Sequence, residues 1–223
     1  MRDYFPVDIH ANEATFEIQY GNVKRATHNN TSWDYAKFEV CAHKWLDVSE
    51  DGYGVSILND CKFGCSVKDG VIGLSMLKSA IYPNPDADKE HHSFWYSIAP
   101  HSGDFKQGRT VDKAYSFNNP LCALVKLNAG GALSNKFSLV TVEEENIVVE
   151  VVKEAEESKE LVIRMYECFN RRGKVHIHIG IPFASAKETD MLENNGQELA
   201  VADDLITADM KPYEIKTIVV KVC

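Results

Sequence analysis

The sequence predicts an all-β protein built from antiparallel β-sandwiches. Three observations carry that expectation: short segments with apolar residues at every second position, polar turn clusters at regular intervals, and almost no apolar spacing of helical period. At 223 residues the chain can bury a sizeable core, as one large domain or two unequal ones.

Residues 1–14 show little periodicity and read as an irregular lead-in. Residues 15–20 alternate Phe16, Ile18 and Tyr20 with Glu17 and Gln19, a strand that Gly21 and Asn22 can turn. Residues 35–46 place Ala36, Phe38, Val40 and Ala42 on one face of an extended strand and Lys37, Glu39 and His43 on the other. Ser49, Glu50, Asp51 and Gly52 supply a hairpin turn, because Gly tolerates positive φ and Asp bonds its own backbone. Tyr53, Val55 and Ile57 resume the alternation and deliver Asn59, Asp60, Cys61, Lys62, Phe63 and Gly64 to the far end.

Asp69-Gly70 signals a second hairpin between residues 65–68 and 71–77. Residues 80–90 carry Pro83 and Pro85, each lacking a backbone donor, and should form an exposed loop. Residues 92–99 read as a strand with Phe94, Tyr96 and Ile98 on one face, while residues 104–116 fit a short helix or a long loop. Residues 121–127 and 137–142 look strand-like, split by a turn at 128–131. Further strands are expected at 147–152, 161–169, 174–181, 197–201, 204–207 and 213–222, with the charged run 153–160 as a solvated loop. A domain boundary is expected between 142 and 158, dividing 1–145 from a smaller sandwich at 146–223.

The formal charge is −9, of which −7 falls from Val142 onward, where 17 acidic residues face 10 basic ones. An acidic chain without a basic stripe does not attract a phosphate backbone, so nucleic acid is excluded as a partner. No apolar run approaches the ~20 residues needed to span a bilayer, and the first residues lack the pattern of a signal peptide, so no membrane partner is expected. The scattered Cys41, Cys61, Cys65, Cys122, Cys168 and Cys223 favour free thiols. The pair Cys61 and Cys65 alone is a weak zinc signal.

The stretch from Asn30 to Gly64 resembles the C-terminal region of glycoside hydrolase family 38, the class II α-mannosidases, and most closely their cytosolic-type branch. The residues that carry it are Thr31-Ser32-Trp33-Asp34, Phe38-Glu39-Val40, His43-Lys44-Trp45, Gly52-Tyr53-Gly54-Val55 and Leu58-Asn59-Asp60-Cys61-Lys62. It continues through Leu74-Ser75-Met76-Leu77, Pro83-Asn84-Pro85-Asp86-Ala87-Asp88, His92-Ser93-Phe94, Pro100-His101-Ser102-Gly103 and Phe117-Asn118-Asn119-Pro120-Leu121. A later echo lies in Arg164-Met165-Tyr166-Glu167-Cys168 and Asn170-Arg171-Arg172-Gly173. The resemblance implies a supersandwich-like, galactose-mutarotase-like sandwich followed by a smaller one. It also implies a parent enzyme that hydrolyses terminal α-mannosides with retention in the cytoplasm. The Asp nucleophile and zinc of that family sit in an N-terminal α/β domain that this sequence does not resemble. No catalytic residue, metal ligand or cofactor is therefore expected in the chain, which should be inactive alone and pack on that catalytic domain.

Candidate substrate-binding residues are Asn59, Asp60, Lys62, His92 and His101. The first three offer complementary partners to sugar hydroxyls, or form an ordinary turn before Gly64; the resemblance favours the sugar-facing role. His92 and His101 match recurring positions of the family's loop pattern. Asp86, Asp88, His91, His92 and His101 also form the richest set of metal-ligand types, suited to zinc or manganese, yet without a recurrent metal spacing, so loop capping and hydrogen bonding are the favoured account of them. Trp33, Trp45 and Trp95 can stack on pyranose rings or pack in the core. His176 and His178 share one face of a strand. They lack a recognisable third metal ligand, and a polar outer face over apolar Val175, Ile177 and Ile179 accounts for them. Two rival readings stand beside the mannosidase: a stand-alone carbohydrate-binding module, and a structural or homo-oligomerisation domain.

Overall fold

A computed structural model describes residues 1–125, 130–131 and 134–223. They form two compact units, Met1–Leu124 and Val125–Cys223. In unit 1 the strands are β1 (Arg2–Pro6), β2 (Glu13–Ile18), β3 (Gly21–Ala26), β4 (Val40–Cys41), β5 (Trp45–Glu50), β6 (Tyr53–Asn59), β7 (Gly64–Lys68), β8 (Val71–Ser75) and β9 (Tyr96–His101). Two helices join them, α1 (Ser32–Ala36) and α2 (Thr110–Asn118). The strands make two antiparallel sheets, ordered β3-β2-β5-β6-β9 and β1-β8-β7-β4. Phe16, Leu46, Val48, Val55 and Ile57 of the first meet Val67, Ile72 and Leu74 of the second in one core.

The opposite face of β5 and β6 is covered by α2, whose Thr110, Val111 and Ala114 are buried. Trp45 stacks on Phe105 there, with ring centroids 5.1 Å apart. Strand β6 is consequently buried on both faces from Gly54 to Asn59: Val55 and Ile57 turn to the sandwich, Ser56 and Leu58 to the helix side. This is why its sequence does not alternate apolar with polar.

Unit 2 contains β10 (Val140–Val142), β11 (Ile147–Glu154), β12 (Leu161–Glu167), β13 (Gly173–Ile179), β14 (Phe183–Thr189), β15 (Gln197–Glu198), β16 (Ala200–Ala202), β17 (Leu205–Met210) and β18 (Ile215–Val222). Its sheets are ordered β10-β13-β17-β16 and β11-β12-β18-β14-β15. Val175, Ile177, Ile179, Ile206 and Met210 close against Ile163, Met165, Ala186, Ile218 and Val220. Each such Val, Ile or Met side chain, fully buried, contributes about 1.5–3 kcal/mol. The fully buried Glu167 accepts from Asn146 Nδ2 at 2.9 Å, Phe169 N at 2.8 Å and Tyr213 N at 3.0 Å. It thus ties three loops to the end of β12.

Several expectations are corrected. Residues 1–14 are not irregular: β1 pairs with β8 from Arg2↔Ser75 to Pro6↔Val71. Residues 35–46 are not one strand. A capping box at Thr31, whose hydroxyl accepts from Asp34 N at 3.1 Å while the Asp34 carboxylate accepts from Thr31 N at 3.2 Å, winds α1 instead. Two consecutive turn residues, Gln19 and Tyr20, close β2 onto β3 one step before Gly21. The strand at 92–99 begins only at Tyr96, and residues 104–116 resolve in favour of α2. Residues 121–125 form no strand, residues 126–127 and the first half of the turn at 128–131 lie outside the described residues, and β14 was not anticipated. The division between units falls at Leu124, some twenty residues before the expected boundary, because Val140 and Val142 pair with Ile179 and Ile177 inside unit 2.

Candidate functional site

The end of β6 is where the sequence places its best ligand-binding residues. Asn59 is buried and each end of its amide is used: Nδ2 donates to His43 O at 2.6 Å, and Oδ1 accepts from Lys62 N at 2.8 Å. Its backbone N donates to Lys44 O at 3.0 Å, and its carbonyl accepts from Asn118 Nδ2 of α2 at 3.1 Å. Asn59 therefore builds the turn rather than facing outward. Beneath it, buried Glu17 accepts from Lys44 N at 2.7 Å and from Lys44 Nζ at 3.2 Å, while that ammonium lies 4.7 Å from the Tyr115 ring. The turn is thus held from three elements.

Asp60 bonds both ways with Trp95: its Oδ2 accepts from Trp95 N at 3.0 Å and its own N donates to Trp95 O at 3.2 Å. Its Oδ1 is without a hydrogen-bond partner among the described residues. Lys62 reaches over the Phe94 ring, 4.9 Å from the centroid, and Trp95 is 71% exposed beside them. Around the Asp60 carboxylate, whose Oδ1 is buried, half-buried Lys62 and exposed Trp95 leave one ammonium and one aromatic plane at the surface, over a Phe94 that packs on the core. Sequence reasoning missed Phe94 as a partner of Lys62, since only the β6–β9 pairing, Asn59↔Tyr96, brings them into register.

His92 lies on the loop before β9, where its Nε2–H donates to Asp88 O at 3.1 Å. Asp88 Oδ2 in turn accepts from Ser79 N at 2.8 Å and Lys78 N at 3.1 Å. Those two backbone bonds hold the Asp88 carboxyl below its usual range, with His92 and Lys62 adding smaller attractions. The acidic residues of this loop cap it, as one of the two sequence readings has it.

His101 is elsewhere. Its side chain is 3% exposed, and Nε2–H donates to Asp47 Oδ2 at 2.7 Å. Asp47, itself 1% exposed, also accepts from Ser56 Oγ at 2.7 Å and Ser49 Oγ at 2.6 Å. Because the Ser56 proton is committed to Asp47, Thr110 donates to Ser56 Oγ at 2.7 Å. The imidazole fills a slot made by two glycines: a Cβ on Gly54 would come within 2.4 Å of Cε1, and one on Gly108 within 2.5 Å of Cγ. His101 has no surface to offer a sugar here; it fastens β9 and α2 to β5. The signal for this network was present in the sequence as Asp47 and Ser56, polar residues inside otherwise apolar strands.

The remaining candidates sort by burial. Trp45 is core, whereas Trp33 is 79% exposed. Cys65 is buried and donates to Val40 O at 3.3 Å; burial pushes its thiol up to about 12, and Cys61 lies exposed, so the pair is no metal site. The family's zinc does not fit unit 1: His101 is sealed onto Asp47, while Asp88 and His92 are spent on loop backbone. Among the described residues the one convergence of three metal-ligating side chains is Glu143, Glu144 and His176 in unit 2. There His178 bonds Glu143 at 2.8 Å and Asp204 at 3.2 Å, contacts that raise the His178 pKa and lower that of Glu143. A cleft of about 690 Å³ in unit 2 is lined by internally paired charges such as Lys216 with Glu188.

Fold and site define a tandem β-sandwich protein with one rigid polar and aromatic turn at a strand end. Residues 1–86 match the glycosyl hydrolases family 38 C-terminal domain, and residues 146–218 the C-terminal beta sandwich domain of the same family. The human protein named Alpha-mannosidase 2C1 is 38% identical over 216 residues, which are 95% of this chain and 21% of that protein. Alpha-mannosidase G of Dictyostelium discoideum is 37% identical over 221 residues, 97% of this chain and 20% of that protein. An α-mannosidase structure from Enterococcus faecalis V583 shares the fold with a TM-score of 0.79 at 22% identity, covering 98% of this chain and 25% of that one. The chain belongs to glycoside hydrolase family 38, as part of its C-terminal region, and spans about a fifth of the length of the relatives it matches.

Proposed function

We propose that the chain is the C-terminal β-sandwich region of a cytoplasmic enzyme that hydrolyses terminal α-mannosides with retention. In this reading it packs on a catalytic domain supplying the nucleophile and zinc, and its 59–62 turn helps wall the sugar site. The observation that carries it is the turn itself. A buried amide, the ion pair of buried Glu17 with Lys44 and α2 all hold it, leaving Lys62 and Trp95 at the surface beside the Asp60 carboxylate; rigid support of that kind is what a binding wall requires. Packing against a further domain is supported by α1, which buries none of its own residues and leaves Trp33 and Tyr35 exposed, with Phe38 exposed just beyond it. When bound in the catalytic domain, zinc would supply charge stabilisation at the scissile sugar; the residues of this chain bind and orient.

The test is kinetic. In the complete enzyme, Asp60→Ala removes a charged hydrogen-bond partner, and KM for an aryl α-mannoside should rise by about tenfold. Unchanged KM and kcat would place the turn away from the sugar. Binding of methyl α-mannoside by the 223-residue chain alone, abolished by Asp60→Ala, would favour the stand-alone module.

A further inference from the structure

We propose that Glu143, Glu144 and His176 form a binding site for a zinc-class divalent cation on the outer face of unit 2. Sequence alone offers only the two histidines of β13. The fold adds carboxylates from the segment that leaves β10. Val142 pairs with Ile177, and Glu143 N donates to His176 O at 3.2 Å, so both acidic residues arrive beside the imidazole.

The two carboxylates are pinned alike. Glu144 Oε2 accepts from His176 N at 2.9 Å, which leaves Oε1 2.6 Å from His176 Nδ1. Glu143 Oε1 bonds His178 Nε2 at 2.8 Å, which leaves Oε2 3.9 Å from the same Nδ1. Each carboxylate thus has one oxygen fixed from behind and the other aimed at one point. Asp204 bonds Nδ1 of His178 at 3.2 Å and so orients the ring that orients Glu143, the outer-shell arrangement that metal sites use.

Ligand atoms around a tetrahedral zinc ion lie about 3.3 Å apart. The two separations from His176, 2.6 and 3.9 Å, straddle that value and all three ligand atoms lie within 4.8 Å of one another, so side-chain rotations admit an ion that displaces the proton shared by His176 and Glu144 to solvent, with water completing its shell. One imidazole with two carboxylates suits zinc or manganese rather than calcium or copper(I). His178 and Asp204 act as positioning residues, and the site lies partly open to solvent, with Glu144 and His176 half-buried.

The probe is zinc chloride added to the untagged 223-residue chain, followed by calorimetry and by the imidazole proton signals in NMR. One ion per chain should bind, with the His176 signals shifting as it does. His176→Gln and Glu144→Gln should each weaken binding by at least about tenfold, and His178→Gln, acting through Glu143, by about tenfold. Circular dichroism identifies any variant that fails to fold; Glu143→Gln is the substitute ligand variant in that event. Zinc that binds equally well to the His176→Gln/Glu144→Gln double variant belongs to exposed thiols and overturns the proposal. Absence of binding, with lowered stability of the variants, also overturns it and leaves the cluster a set of ion pairs.

Discussion

At the residue scale, the decisive case is His101. A histidine next to Pro100 in a sugar-hydrolase motif invites a role at the substrate, yet the structure seals it between two glycines with Asp47. Removing it leaves a buried carboxylate short of a partner, so His101→Ala should destabilise unit 1 by about 3 kcal/mol in denaturant unfolding. A loss under about 0.5 kcal/mol, the size of an ordinary surface change, would mean that the network is not formed. Asp88 makes a second residue-scale case. The Ser79 and Lys78 amides, bonding its charged form, hold its carboxyl below the usual aspartate range, which begins near 3.8 in the unfolded chain. A depressed carboxylate contributes fully above its unfolded pKa and loses that contribution as pH falls through the folded one. Loop closure at residues 78–88 should therefore persist down to pH 3.8 and open below it. The Ser79 amide shift, followed by NMR, should show a midpoint under 3.8; a midpoint above 3.8 contradicts the assignment.

At the element scale, local turn chemistry was legible wherever it acts alone. Asp69-Gly70 closes β7 on β8 with φ of +50° and +73°, and Asp51-Gly52 closes β5 on β6 with Glu50 opposite Tyr53. Gly70→Ala should cost about 1 kcal/mol, since the added Cβ disfavours that positive φ; an unchanged midpoint in urea would contradict the left-handed geometry. Legibility failed where two local signals competed. The apolar alternation at residues 35–46 was a real pattern, but the Thr31 and Asp34 capping box satisfies backbone donors that a strand would have to pair elsewhere. It failed again where partners are remote. β1 has only five residues and becomes a strand by pairing with β8 some seventy positions away. The site shows the same split: Asn59 and Asp60 were readable as a turn with polar groups, whereas the contacts of Lys62 with Phe94 and of Asp60 with Trp95 depend on the β6–β9 register.

At the scale of the whole molecule, two sandwiches, each with its own core, carry one rigid turn in unit 1 and one imidazole-carboxylate cluster in unit 2. The buried Glu17, Asp47 and Glu167 are each spent on holding strands and loops, and so are not placed as the opposed carboxyl pair around an open cleft that a retaining glycosidase needs. The acidic balance, −9 overall, does not hinder a neutral sugar and disfavours a polyanion. The account therefore makes the chain a wall and a scaffold, with the covalent chemistry supplied by the catalytic domain it packs on. The most direct test is to give the purified 223-residue chain zinc and an aryl α-mannoside and measure nitrophenol release. The account predicts release no faster than a blank, and full activity when the chain is joined to the catalytic domain. Release by the chain alone, well above the blank, would contradict it.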